Sequence, residues 1–264
     1  TDRRQRQMCI RDRDIADPVG SQVMIKLISS GICHSQLHQM HDYNLPKPFL
    51  LGHEATGVVM KTGPECSYVQ EGDYVIATWV RRNPIKGRYL PDLKGVSYQE
   101  KKLNCRITFT WSEIIMSEDE YIVKIPKKYA TPESCIVGCS ILTGAGAVKN
   151  TAKVKPGETV AIFGVGGIGL AAVKMASLLN ASKIIAVDID SEKLEFSKQF
   201  GATHTINSIE NNPIDEIIDL TNGGVDYAFD AIGKKITMNQ IFESIKQGGS
   251  GADNIGGTSI LIGI

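Results

Sequence analysis

A glycine-rich run in the second half of the chain narrows the possible folds more than any other feature. GVGGIG, residues 164–169, has the spacing G-x-G-x-x-G, follows the apolar run TVAIF and opens the amphipathic stretch IGLAAVKMASLLN. The next apolar run, IIAV, ends at Asp188, about twenty residues further on. A strand, a glycine turn, a helix and a second strand ending in an acid predict the start of a dinucleotide-binding fold.

The three glycines of the G-x-G-x-x-G pattern each have a physical role in such a site. Gly164 permits the tight turn, Gly166 lets the backbone approach a pyrophosphate, and Gly169 lets helix and strand pack closely. The helix N-terminus offers free N–H groups and partial positive charge to that anion. Asp188 would accept hydrogen bonds from the adenosine ribose and repel a 2′-phosphate, which favours NAD over NADP. A glycine-rich turn in another α/β sheet is the alternative. The candidate cofactor contacts are Gly164, Val165, Gly166, Gly167, Ile168, Gly169 and Asp188.

The rest of the chain divides into two regions of different character. Strand-like runs between turn residues fill the part before about residue 130, apart from a polar segment at 81–105 that is interpreted as a long loop. After residue 132 a potentially helical stretch leads into alternating strands and helices, which predict a parallel doubly wound sheet. We therefore predict an α/β plus β architecture, with a β-rich domain at 14–138 and a Rossmann domain at 139–264.

Composition excludes several classes of function. Lys plus Arg equals Asp plus Glu at 29 each, so no overall field favours nucleic acid or an anionic membrane. No apolar run approaches the roughly 18 residues of a spanning helix. The six cysteines are scattered, as expected for reduced cytoplasmic thiols or metal ligands. Residues 1–13, dense in Arg and without apolar periodicity, are expected to be non-native or disordered.

Three side chains form a candidate metal site when they are taken together. Alone, His53 with its neighbouring Glu54 could be a surface pair, and Cys139 could be an ordinary buried thiol. Cys33, His53 and Cys139 together make a Cys₂His set, which leaves tetrahedral zinc one open position, the arrangement of a catalytic site. Zinc so held polarises a carbonyl and acidifies a bound alcohol, chemistry that a nicotinamide completes by hydride transfer.

The order of six motifs resembles the zinc-dependent medium-chain alcohol dehydrogenases. The motifs are GICHSQLH, GHEATGVV, EGDYVIA, GCSILTGAGAV, VAIFGVGGIGLAAVKMA and IIAVDIDSEKLEFSKQFGATH. The resemblance runs from about Asp14 to Ile264 and implies a GroES-like catalytic domain followed by a Rossmann domain. It also implies that Cys33, His53 and Cys139 are the catalytic zinc ligands, with Glu54 as an acidic neighbour able to approach the metal.

The resemblance assigns further roles in proton transfer and cofactor binding. Ser35 matches the hydroxyl that hydrogen-bonds the substrate oxygen, and His38 matches the histidine that passes its proton to solvent. His34 matches a basic pyrophosphate contact. The remaining implied cofactor contacts are Thr143 at the nicotinamide ring, Lys193 at the adenosine ribose, and the backbone of Ile262, Gly263 and Ile264 at the carboxamide.

This sequence also departs from the pattern of that family. The segment 81–105 holds one cysteine where many relatives hold four, so we expect one catalytic zinc and no structural Cys₄ zinc. Gln36 stands where relatives often have Asp, so a neutral amide faces the zinc-ligating histidine. Trp79 and Trp111 match channel-lining positions and are expected to favour slim or flat alcohols, although both could simply be packing aromatics.

These observations predict an enzyme, a zinc-dependent oxidoreductase that transfers a hydride between a primary alcohol and NAD. A polyol or a thiol adduct of formaldehyde is an alternative substrate. A zinc-free NAD(P)H reductase or a non-catalytic dinucleotide-binding protein is a further alternative, which the intact ligand set disfavours. We expect a cytoplasmic protein that is a homodimer or homotetramer at full length, with neither nucleic acid nor membrane as partner. Because relatives extend beyond both ends, this polypeptide is expected to be poorly soluble and largely inactive.

Overall fold

The computed structural model describes residues 14–45, 48–83, 96–98, 101–105, 107–249 and 256–263. The prediction for residues 1–13 and the cofactor contact assigned to Ile264 lie outside these ranges. The chain divides after Cys139 into two compact units. Each unit has its own sheet and its own buried apolar core.

Five antiparallel strands form the main sheet of the first unit, in the spatial order β7-β2-β3-β4-β8. Alternating apolar residues bury one face of this sheet, as at Val23, Ile25 and Val75, which have no exposed surface. The strands are β2 (Gln22–Ser30), β3 (Ala55–Thr62), β4 (Tyr74–Ala77), β7 (Ile114–Glu118) and β8 (Ile122–Lys124). The β-rich character predicted for this part of the chain is therefore confirmed.

A smaller sheet joins the strand that opens the described chain to the segment predicted as a long loop. Its strands are β1 (Asp14–Ile15), β5 (Val96–Tyr98) and β6 (Lys101–Lys102). The prediction of an irregular loop throughout 81–105 is thus wrong for these two short strands. Both are too short to show the alternation that identifies a strand in sequence. Residues 84–95 and 99–100 are outside the described ranges.

Strand pairing brings two distant chain segments to one end of the main sheet. Ser30, the last residue of β2, pairs with Ala55, the first residue of the antiparallel β3. The chain leaving β2 and the chain entering β3 therefore lie side by side. Helix α1 (His34–His41) follows β2 closely, with Cys33 as its N-cap. A 3₁₀ helix, Pro132–Gly138, packs against β2, β3 and β4 and ends next to Cys139.

The second unit is built on a five-stranded parallel sheet with the order β11-β10-β9-β12-β13. Its strands are β9 (Thr159–Phe163), β10 (Lys183–Asp188), β11 (His204–Asn207), β12 (Tyr227–Asp230) and β13 (Thr258–Leu261). The predicted doubly wound sheet is confirmed. Strand β9 has β10 on one side and β12 on the other, so the chain direction switches at its carboxyl end, where such folds bind ligands.

Helices α2 to α6 belong to this second unit. They are α2 (Ser140–Gly146), α3 (Gly167–Leu178), α4 (Ser191–Lys198), α5 (Pro213–Thr221) and α6 (Lys235–Glu243). The stretch from Glu133 to Asn150, which the sequence predicted as potentially helical, is helical in three different ways. It comprises the 3₁₀ helix, then α2, and then a π-helical turn at Ala147–Ala152. Within the described residues, no helix is long and apolar enough to cross a membrane.

Helices α2 and α3 approach closely at Gly144. A Cβ placed on Gly144 would lie 2.1 Å from the carbonyl oxygen of Ile168 and 3.0 Å from the Ala171 side chain. Gly146, two residues later, has right-handed helical angles (φ −64°, ψ −40°), and its nearest neighbour would be 3.9 Å away. The close contact of the two helices therefore depends on the first glycine and not on the second.

We predict opposite effects on stability for alanine at these two glycines. Gly144→Ala should destabilise the protein by about 1–3 kcal/mol, because a backbone carbonyl must move away. Gly146→Ala should be neutral or stabilising by up to about 1 kcal/mol, since alanine favours the helix. Urea unfolding of the two variants measures both values, and equal midpoints would contradict the packing described here.

Candidate active site

Three metal-ligating side chains meet in the first unit. The sulfurs of Cys33 and Cys139 and a ring nitrogen of His53 all lie within 4.8 Å of one another. His53 Nε2 is 3.2 Å from Cys139 Sγ, and the two sulfurs are 3.8 Å apart. Two thiolates and an imidazole suit zinc, and three protein ligands leave the fourth tetrahedral position open. The donor set fits a catalytic zinc ion.

Glu54 is buried beside these ligands. Only 2% of its surface is exposed. A Cβ on Gly31 would lie 2.6 Å from the Glu54 carboxyl carbon, and one on Gly138 would lie 3.2 Å from Glu54 Cβ. Backbone that carries no side chain therefore approaches the Glu54 carboxylate at Gly31 and the Glu54 Cβ at Gly138. The two glycines belong to the segments that deliver Cys33 and Cys139, so they let both ligands approach this acid.

Gln36 connects the first turn of α1 to the imidazole of the site. Its side chain is buried, and its Oε1 accepts a hydrogen bond of 2.9 Å from the Cys33 backbone N–H. Its Nε2 lies 2.6 Å from His53 Nδ1. The ring is therefore held with Nε2 towards the sulfurs, the orientation that ligation through Nε2 requires. The expectation that an amide faces this histidine agrees with the contact.

The pKa values of the Cys33 and Cys139 thiols are shifted in opposite directions. Hydrogen bonds from Cys139, then from His53 and Ser35, lower the pKa of the Cys33 thiol to about 3, although burial opposes this shift. The Cys33 sulfur, then burial and the nearby charge of Glu54, raise the pKa of the Cys139 thiol. Cys33 is therefore a thiolate that accepts a hydrogen bond from the protonated thiol of Cys139. A metal ion must displace that proton to gain both thiolates.

Helix α1 also carries the residues that the sequence assigned to proton and phosphate contacts. Ser35 is half-buried, and its proximity to the Cys33 sulfur contributes to the low pKa of that thiol. His34 and His38 are exposed one turn apart, with ring centroids 5.1 Å apart in an edge-on arrangement. The helix therefore places the hydroxyl beside a metal ligand and the two imidazoles towards solvent.

The two tryptophans occupy different environments. Trp79 follows β4 and is 44% exposed, and its indole N–H donates to the Cys139 sulfur, which acts against the raised pKa of that thiol. Trp111 is half-buried and donates from Nε1 to the carbonyl oxygen of Gly31 at 3.2 Å. The sequence did not predict either bond. Trp111 therefore anchors the backbone that leads to Cys33.

In the second unit the glycine run has the geometry that its spacing predicted. Gly164 has φ +90°, and Gly169 comes so close that an added Cβ would lie 1.8 Å from the Gly164 carbonyl oxygen. Gly166 is the N-cap of α3, and a Cβ there would meet nothing within 4 Å. Space in front of a helix N-terminus is what a pyrophosphate requires.

Asp188 ends β10 and is 9% exposed. Its Oδ2 accepts from the N–H of Val165 at 2.9 Å, and its Oδ1 accepts from the N–H groups of Ile189 and Asp190 at 2.8 and 3.1 Å. The acid thus joins the glycine loop to the loop after β10. Each carboxylate oxygen has a further lone pair with which to accept from a ribose hydroxyl.

The other predicted cofactor contacts are spread over the second unit. Thr143 is half-buried on α2, and exposed Lys193 lies 3.8 Å from Asp190 on α4. Ile262 and Gly263 follow β13, and their N–H groups both donate to the Asp230 carbonyl oxygen at 2.8 Å. Ile264 is outside the described residues.

Sequence reasoning missed Asp230, which organises the carboxyl end of β12. Its side chain is fully buried and accepts hydrogen bonds from the N–H groups of Ile232 and Gly233. Since its own carbonyl accepts from Ile262 and Gly263, one residue fixes the loops after two neighbouring strands. Asp230 ends the strand-like run VDYAFD, just as Asp188 ends the run KIIAVD. This repeated pattern of an acid at the end of a strand could have identified Asp230 in the sequence.

Known proteins share both units. Residues 20–127 match the family described as "Alcohol dehydrogenase GroES-like domain", and residues 167–252 match "Zinc-binding dehydrogenase". "Alcohol dehydrogenase class-3" of Oryza sativa subsp. japonica is 34% identical over 98% of this chain and 73% of its own length. The protein of the same name from Pisum sativum is also 34% identical, over 97% of this chain and 73% of its own.

Solved structures agree with this result. The structure of an "Alcohol dehydrogenase zinc-binding domain protein" from Burkholderia ambifaria matches with a TM-score of 0.85 and 28% identity. The match covers 97% of this chain and 80% of the other chain. Benzyl alcohol dehydrogenase from Acinetobacter calcoaceticus matches with a TM-score of 0.82 and 29% identity, over 96% and 79%.

The chain belongs to the zinc-dependent medium-chain alcohol dehydrogenase family. The predicted GroES-like and Rossmann folds are confirmed, and so are the enzyme class, an NAD-dependent oxidoreductase, and zinc as its metal.

The unequal thiols predict an unusual pH profile of alkylation in the metal-free protein. An ordinary thiol loses about tenfold in rate per pH unit below its pKa, because only the thiolate reacts. Cys33 is a thiolate above about pH 3. Its rate of reaction with iodoacetamide should therefore not change with pH between about pH 5 and pH 8. Cys139, whose pKa is raised, should stay unmodified over that range.

Peptide mass spectrometry after timed alkylation measures both cysteines in one sample. A cysteine-containing reference peptide provides the ordinary profile, and stoichiometric zinc should protect both ligands. A Cys33 rate that falls tenfold per pH unit would contradict the proton arrangement.

Proposed function

We propose that this enzyme transfers a hydride between a primary alcohol and NAD, with Cys33, His53 and Cys139 as zinc ligands. The observation that carries the proposal is the convergence of these three side chains within 4.8 Å. Zinc held by two thiolates and one imidazole supplies a Lewis acid for an alcohol or carbonyl oxygen. The second unit supplies the cofactor site and the first supplies the metal ligands and the proton-handling groups.

The residues of α1 then have separate tasks. Ser35, next to Cys33, would hold the hydroxyl proton of the alcohol through its own hydroxyl. His38 would release that proton to solvent, since it is exposed and an imidazole can both accept and donate a proton. His34 would contribute positive charge towards the cofactor pyrophosphate. Glu54 is close enough to Cys139 to act on the pKa of that thiol, and we propose that it adjusts the charge around the metal.

Cofactor binding is proposed to use the elements at the carboxyl edge of the parallel sheet. The Gly164–Gly169 loop would hold the pyrophosphate, because it combines open space at Gly166 with the N-terminus of α3. Asp188 and Lys193 would contact the adenosine ribose. Thr143 and the backbone of Ile262, Gly263 and Ile264 would contact the nicotinamide end.

The substrate is proposed to be a slim or flat primary alcohol. Trp79 is 44% exposed, and its indole N–H hydrogen-bonds the Cys139 sulfur. This position supports the proposal that an aromatic ring lines the substrate site beside the metal ligands. The similarity to benzyl alcohol dehydrogenase supports a flat substrate. A polyol or a thiol adduct of formaldehyde is the second candidate within the same chemistry.

We also propose a cytoplasmic location and a full-length homodimer or homotetramer. All five cysteines in the described part of the chain are free thiols, which suits a reducing compartment. Sedimentation equilibrium of the full-length protein would give a mass of two or four chains, and a monomer would exclude this assembly.

Metal content tests the proposal without requiring turnover. We expect one zinc per chain by elemental mass spectrometry after dialysis. We expect less than a tenth of that in His53→Ala, because two thiolates alone bind far more weakly. His204→Ala, which removes a histidine of the second unit, should retain the full zinc content. A zinc-free wild type would support the reductase or binding-protein alternative.

Activity then distinguishes the substrates. We expect NAD reduction by the zinc-loaded full-length protein with ethanol, hexanol and benzyl alcohol, at kcat/KM values well above that for cyclohexanol. The removal of zinc by a chelator should abolish turnover. A preference for cyclohexanol would exclude the narrow site that we propose, and turnover restricted to polyols or thiol adducts would favour the second candidate.

A further inference from the structure

Gln36 makes two buried hydrogen bonds through the two ends of its amide. It is 1% exposed, so water cannot readily replace either partner. One bond comes from the Cys33 backbone N–H to Oε1 at 2.9 Å, and the other joins Nε2 to His53 Nδ1 at 2.6 Å. The first bond caps helix α1, and the second orients a residue of the metal site.

When no metal is bound, every hydrogen-bond donor around the Gln36 amide has an acceptor. A backbone N–H can only donate, so it must face the amide oxygen of Gln36. The NH₂ group then donates to His53 Nδ1, which must accept. A neutral imidazole that accepts on Nδ1 carries its proton on Nε2, and Nε2 lies 3.2 Å from Cys139 Sγ. Every proton in this chain of contacts has an acceptor.

Ligation of a metal through Nε2 reverses that pattern. The lone pair of Nε2 must be free, so the ring proton moves to Nδ1, where metal-bound histidines usually donate it to an oxygen. The NH₂ group of Gln36 cannot accept it. Turning the amide over places Oε1 on Nδ1–H, but it also places NH₂ against the Cys33 N–H. Both orientations leave two donors facing each other.

We propose that Gln36 is a positioning residue that couples metal ligation at His53 to the N-terminal cap of α1, and that it weakens metal binding by this conflict. The inference rests on the proposed metal site. Binding of the metal costs one of two buried hydrogen bonds, either the cap bond of Cys33 or the bond to the ring. A carboxylate at this position would accept from both donors at once, so it would remove the conflict.

Gln36→Glu tests the conflict with nearly the same side-chain shape. The full-length variant should bind zinc at least about tenfold more tightly than the wild type in competition with a chromogenic chelator, the scale of outer-shell effects on metal sites. Gln39→Glu, which adds the same charge elsewhere on α1, should change the affinity by less than about threefold. Equal effects of the two variants would overturn the proposal, because bulk charge would then explain both.

The ring proton of His53 gives a second readout, and its metal-free part needs no variant. In the metal-free wild type, ¹⁵N NMR should show the proton on Nε2, and in zinc-loaded Gln36→Glu it should show the proton on Nδ1. Zinc binding to the wild type should break one of the two hydrogen bonds of Gln36. Either the Cys33 amide hydrogen then exchanges faster with solvent, or the hydrogen bond between Gln36 and His53 Nδ1 is lost. A metal-free wild type with its proton on Nδ1 would overturn the inference, even if Gln36→Glu failed to fold.

The two proposals fail in different ways. If neither the wild type nor Gln36→Glu binds zinc while both remain folded by circular dichroism, the proposed metal site is wrong, and the inference that rests on it falls with it. If both bind zinc with equal affinity, the metal site stands and the coupling through Gln36 is wrong.

Discussion

The register between β2 and β3 is the constraint on which the metal site depends. Because Ser30 pairs with Ala55, the turn that carries Cys33 and the turn that carries His53 emerge at the same edge of one sheet. A slip of one residue would exchange the two faces of β3 and move its buried side chains to the opposite side. A bulge at Ile28 of β2, between the pairs Leu27–Gly57 and Ser29–Thr56, adjusts the twist close to this edge. Catalytic geometry is therefore set by backbone pairing several residues away.

The metal site gathers negative charge in a place with little water. The Cys33 thiolate, the buried Glu54 carboxylate and the thiol of Cys139 lie together, and the pKa shifts of the two cysteines show that only one of the sulfurs is ionised in the absence of metal. A divalent cation balances this charge and makes the second thiolate favourable. Ser35 near Cys33 and Trp79 near Cys139 each lower the pKa of the neighbouring sulfur and so favour its thiolate.

Local patterns predicted the second unit well, because its signals lie within short stretches of sequence. A strand, three spaced glycines, a helix and a strand ending in Asp188 describe one βαβ unit, and each glycine has the environment that its role requires. Elements with little local signal were missed. The short strands β5 and β6 exist through pairing, and the change from 3₁₀ to α to π helix before β9 follows tertiary packing. No spacing rule joins Cys33 to Cys139, so the sequence related them through their ligand types and through the family resemblance. The amide conflict at Gln36 depends on which atoms face each other, which no residue pattern encodes.

Asp188 shows how folding can fix a side chain before any ligand arrives. Three backbone amides from two loops already fix its carboxylate, so its rotamer is chosen when the protein folds. A ligand hydroxyl that meets this group has little side-chain freedom left to remove, and the entropy loss on association is correspondingly smaller. The same rigidity makes the acid a poor host for an extra negative group, because it cannot swing aside. At the ribose contact proposed for Asp188, tight binding of one ligand and rejection of its phosphorylated analogue would both arise from a single immobilised side chain.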